Sequence, residues 1–111
     1  MIIDFNDIKD EVIEGFKGGK GILLMRSYMD KDCKIMRHVL KSGASSGLHV
    51  HDKSCEIINV LKGEITVCCD GITEHLYTGQ VHYCPCGHSH YIENNTDKDV
   101  EYLAIVAELS N

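Results

Sequence analysis

Four residues carry side chains suited to holding a cation: His49, His51, Glu56 and His90. Residues two apart in an extended strand project to the same side, so His49-Val50-His51 offers two imidazoles to one face. Glu56 opens the apolar run EIINVL, where a carboxylate is costly unless it is paired or ligates a cation. His90 begins another strand-like run, just after Pro85-Cys86-Gly87. Three imidazoles and one carboxylate make a mixed nitrogen and oxygen set that suits Mn, Fe, Co, Ni, Cu or Zn, with positions left for water or substrate. Spacing alone also fits two solvated histidines and an exposed glutamate at a strand start, so both readings stand at this point.

Residues 84–90, CPCGHSH, look like a compressed zinc site. Structural zinc sites draw paired ligands from two separated knuckles, and no second C-x-x-C pair completes one here. If residues 81–85 form a strand, His82 and Cys84 share one face, while Val81, Tyr83 and Pro85 take the other. Cys84 then packs as a small apolar group, and His82 lines a cavity or hydrogen-bonds another strand. Arg37 and His38 are adjacent in a strand, so one of them points inward. An inward Arg37 would favour a carboxylate or phosphate ligand. An inward His38 would supply a general acid or base. His75 is expected to face solvent, Cys68 and Cys69 to pack on opposite faces, and Cys86 and His88 to lie on a loop.

The elements that must position these groups read as β-strands. GILLMRSY (21–28) and CKIMRHVL (33–40) flank the polar turn MDKD, a hairpin signal. Residues 56–79 hold three β-rich runs broken at Lys62-Gly63 and Asp70-Gly71, and Asp-Gly favours a tight type I′ turn. VHYCP (81–85), HYIEN (90–94) and VEYLAIVAEL (100–109) complete roughly eight strands, the pattern of a sandwich or barrel. Ahead of them, Asn6 to Phe16 has Ile8, Val12, Ile13 and Phe16 at rough helical spacing, which predicts a short helix capped by Asp7.

The chain of 111 residues suits one domain, residues 1–111. Its net charge of −6, with no basic stripe, argues against nucleic acid or an anionic membrane as partner. No apolar stretch suits export or membrane spanning, so a cytoplasmic protein is expected, with its six cysteines reduced.

Two blocks carry a family resemblance. Gly43-(five)-His49-x-His51-(four)-Glu56-(six)-Gly63 resembles the first motif of the cupin superfamily, and Gly79-(five)-Pro85-x-Gly87-(two)-His90-(three)-Asn94 resembles the second. The residue after Gly79, commonly acidic in the family, is here Gln80. The resemblance implies an all-β, double-stranded β-helix (jelly-roll) barrel with one divalent transition metal held by His49, His51, Glu56 and His90. It also implies a small-molecule ligand and a homodimer. The function it suggests is a metal-dependent enzyme acting on a sugar, uronate or oxo-acid, with His38, Tyr83, His88 or Tyr91 moving a proton. A dioxygenase of the quercetinase or thiol-oxidising kind and a non-catalytic ligand-binding module are the alternatives. Ligating imidazoles must be unprotonated, so metal affinity is expected to fall below about pH 6.

Overall fold

The computed structural model describes residues 1–109. Ten strands follow in order: β1 (Glu11–Glu14), β2 (Ile22–Met29), β3 (Cys33–Leu40), β4 (His49–Val50), β5 (Ser54–Lys62), β6 (Glu64–Cys69), β7 (Ile72–Tyr77), β8 (Val81–Cys84), β9 (Ser89–Glu93) and β10 (Val100–Glu108). They form two antiparallel sheets, β1-β2-β3-β10-β5-β8 and β4-β9-β6-β7, wrapped as a jelly-roll barrel. No helix among the described residues is long and apolar enough to cross a membrane.

Alternation builds the core. Along β10, Val100, Tyr102, Ala104 and Val106 are buried while the residues between them are only partly so, as period-two side-chain placement requires. Leu23 and Ile58 join them from the same sheet, and Ile65, Val67 and Ile92 supply the facing layer. The turn between β6 and β7 is the expected tight one, with positive φ at Asp70 (53°) and Gly71 (79°). The turn between β2 and β3 is tied by Asp30, whose carboxylate accepts from the backbone N–H groups of Asp32 and Cys33 at 2.8 and 3.0 Å.

The helix expected over Asn6–Phe16 does not form. Two 3-10 turns, Phe5–Asp7 and Phe16–Gly18, bracket strand β1 instead. The open edge of β2 offers backbone partners that an isolated helix of this length lacks, and Val12↔Leu24 and Ile13↔Leu23 pair across it. Period two then sends Ile13 toward the core and leaves Val12 exposed. The first turn is capped by Asp4 rather than Asp7, its side chain accepting from the Asn6 N–H at 2.9 Å.

After β1 the chain hooks over the loop that leads into β4. The Gly47 N–H donates to the Phe16 carbonyl at 2.9 Å, and Lys20 and Ser45 exchange backbone hydrogen bonds at 3.2 and 2.8 Å. The approach is so close that a Cβ on Gly47 would lie 1.9 Å from the Lys17 carbonyl oxygen. Only glycine fits there, two residues before His49.

Candidate metal centre

The four residues singled out in the sequence converge between the sheets. His49 and His90 are cross-strand partners of β4 and β9 in the smaller sheet, His51 follows β4, and Glu56 enters from β5 in the larger sheet. The Glu56 Oε1 lies 2.6 Å from His90 Nε2, 3.2 Å from His51 Nε2 and 3.9 Å from His49 Nε2. The Nε2 of His90 is also 3.2 Å from that of His51 and 3.1 Å from that of His49.

One imidazole nitrogen carries either one hydrogen or one lone pair, so ordinary hydrogen bonds cannot satisfy this crowd. The outer ring nitrogens explain what the inner ones offer. His49 Nδ1 lies 2.8 Å from the Gly47 carbonyl; a carbonyl only accepts, so Nδ1 holds the hydrogen and Nε2 turns a lone pair inward. His51 Nδ1 contacts Ser54 Oγ at 3.1 Å, and His90 Nδ1 contacts His82 Nε2 at 3.0 Å. Such outer contacts orient ligating imidazoles. Three inward nitrogens and a carboxylate oxygen, all within 4.8 Å of one another, are a donor set that a divalent transition metal fits.

Electrostatics point the same way. Burial alone would raise the pKa of Glu56, but its close polar contacts with the three imidazoles outweigh it and hold the carboxyl well below its ordinary range. A carboxylate kept ionised while buried is a group that a cation would suit.

A cavity of about 250 Å³ opens onto the cluster, bounded by His49, His51 and Glu56 at one end and by Phe16, Met25 and His38 further in. Of the proton-moving candidates, only His38 lines it. Its neighbour Arg37 turns outward to pair with Glu101 at 2.8 Å, which settles the orientation that strand parity left open. Tyr83 lies on the outer face of β8 and is 55% exposed. His88 is held by Asp70 on the exposed loop. Tyr91 points away from the buried face of β9, beside Cys68.

His82 is buried as parity predicts, but spacing did not disclose its contact with His90. Burial first, then His90 itself, lowers its pKa, which keeps it an uncharged partner for His90. Cys84 is buried beside it and brings its Sγ within 4.8 Å of Cys69 and His82 ligand atoms. Burial raises the Cys84 thiol to about 12. His75 is exposed, near Thr66 Oγ1 at 3.2 Å.

Comparison with known proteins agrees with this geometry. A family model described as a cupin domain matches residues 36–106. An oxalate-binding protein of Thermotoga maritima is 32% identical over 112 residues, covering 96% of this chain and 93% of its own. A solved structure described as a predicted oxalate decarboxylase from Thermotoga maritima superposes with a TM-score of 0.92 at 32% identity, covering 98% of this chain and 100% of that one. KdgF from Halomonas sp., at 14% identity, shares the fold with a TM-score of 0.82 over 99% of this chain and 96% of its own.

Proposed function

This chain belongs to the cupin family, and on that premise we propose that it binds one divalent transition metal through His49, His51, Glu56 and His90 and takes up a small carboxylate there. The observation that carries the reading is the crowding of three imidazole Nε2 atoms around one buried carboxylate oxygen, a set that no arrangement of protons satisfies. The metal, when bound, would supply Lewis acidity and open positions for ligand oxygens. The name of the Thermotoga relative supports a small dicarboxylate of the oxalate type as ligand, rather than a sugar.

The protein's own groups would do the rest. Gly47, Ser54 and His82 hold the three rings at their outer nitrogens. Met25, Met36, Ile92 and Val106 give the cavity an apolar wall, which would strengthen polar contacts made against it. Of the proton-moving candidates only His38 lines the cavity, and burial lowers its pKa to about 4, so it would meet a ligand uncharged near neutral pH.

Elemental analysis of purified protein tests the proposal, with calorimetric titration of oxalate into metal-loaded protein. About one equivalent of metal, lost when His49 and His51 are both alanine, and oxalate binding only in the loaded form are expected. Metal content unchanged by the double substitution would end the site assignment. Decay of oxalate or an oxo-acid on long incubation would make the protein an enzyme rather than a binding module.

A further inference from the structure

His38 is buried among apolar and aromatic side chains. Its side chain is 3% exposed, and neither ring nitrogen has a hydrogen-bond partner. Its ring neighbours are Phe16 and Tyr102, at centroid distances of 6.0 and 5.0 Å, and Met25 is its cross-strand partner on β2. Leaving two polar atoms unpaired in such surroundings costs stability, and nothing in the packing calls for them. The ring instead lines the cavity that opens onto His49, His51 and Glu56. Because burial keeps it uncharged, it offers one N–H and one lone pair.

Its position bounds the ligand. On β10, His38 sits opposite Tyr102, while Glu56 sits opposite Val106. Four residues of strand separate the two levels, about 13 Å at roughly 3.3 Å per residue. The cavity of about 250 Å³ has room for roughly eight waters at ~30 Å³ each, more than oxalate fills. The side chains against His38, those of Phe16, Met25 and Tyr102, are uncharged, so an uncharged oxygen suits that ring; Lys17, whose Nζ lies 5.7 Å from the Phe16 ring centre, and Lys34 line the cavity elsewhere.

We infer that His38 is a specificity-determining residue that hydrogen-bonds an uncharged far oxygen, keto or hydroxyl, of a short-chain carboxylic acid whose carboxylate end is held at the metal centre. The inference rests on the metal-dependent carboxylate reading above and narrows its ligand beyond oxalate.

Metal-loaded protein titrated calorimetrically with 5-hydroxy-2-oxopentanoate, 2-oxopentanoate and 2-oxoglutarate tests it. The hydroxylated acid should bind tightest, on the order of tenfold over 2-oxopentanoate, as one hydrogen bond supplies. His38→Leu should erase that preference with metal content unchanged, and His38→Gln should restore part of it. In metal-free protein His38→Leu should also raise the unfolding midpoint, which an ordinary structural histidine would not do. Equal binding of the two acids by the parent protein, or a preference that survives His38→Leu, overturns the role of His38 while oxalate binding leaves the broader reading intact. Failure of the metal-loaded protein to bind any of these acids or oxalate overturns both.

Discussion

Replacing His38 by leucine should flatten the acid side of the stability curve. Burial lowers the His38 pKa from 6.5 to about 4, the Glu56 charge opposing this only in part. Above pH 6.5 neither the folded nor the unfolded chain holds a proton at this ring, and its linkage contribution is zero. Below 6.5 the unfolded chain takes up the proton first, so stability falls as pH falls. The loss ends near pH 4, where the folded protein is protonated too. At 1.36 kcal/mol per pH unit the whole interval amounts to about 3 kcal/mol, and the part from pH 6.5 to 5 to about 2 kcal/mol. Urea unfolding of chelator-treated parent and His38→Leu proteins at pH 7, 6 and 5 reads this directly. The cluster histidines are common to both proteins and drop out of the difference. Glu56, with its pKa lowered, gives up its contribution only below its ordinary value of 4.5, outside the interval. The leucine variant should be the more stable at pH 7, and its lead should widen by about 2 kcal/mol by pH 5. A lead that stays constant to within about 0.5 kcal/mol would refute the buried, unpartnered imidazole.

Three further outcomes are expected. His82→Phe should weaken metal binding about 10- to 100-fold by removing the contact that orients His90, with His82→Gln intermediate, as measured by competition with a chromogenic chelator. Gly47→Ala places a methyl group 1.9 Å from the Lys17 carbonyl oxygen. It should cost on the order of 3 kcal/mol in denaturant unfolding and lower metal occupancy, because the displaced carbonyl orients His49. Ile58→Ala, at a fully buried position, should cost about 2–5 kcal/mol and leave the metal affinity of the folded fraction unchanged.

The strands and the four cluster residues were legible because each follows a short-range rule. Alternation marks β10, Asp70-Gly71 demands positive φ, and two motif blocks place His49, His51, Glu56 and His90. The first segment was misread because Ile8, Val12, Ile13 and Phe16 fit a helical face. Only the open edge of β2, whose paired residues lie eight to fourteen positions away, makes it a strand. The inward turn of His38 was hidden by the irregular 41–48 stretch, across which parity cannot be counted. The link between His82 and His90 joins strands of opposite sheets, and no local pattern encodes that proximity.

The hook of residues 16–20 over the loop before β4 lies outside the stretch that the cupin family model matches, yet it shares backbone hydrogen bonds with that loop. Coupling of this kind is reciprocal: whatever ordering the hook lends to His49, a cation held by His49 returns to the hook. The amide protons of Gly47 and Lys20 should therefore exchange with solvent more slowly once metal is bound. The amino-terminal segment, remote from the metal-binding motifs in sequence, becomes a reporter of site occupancy.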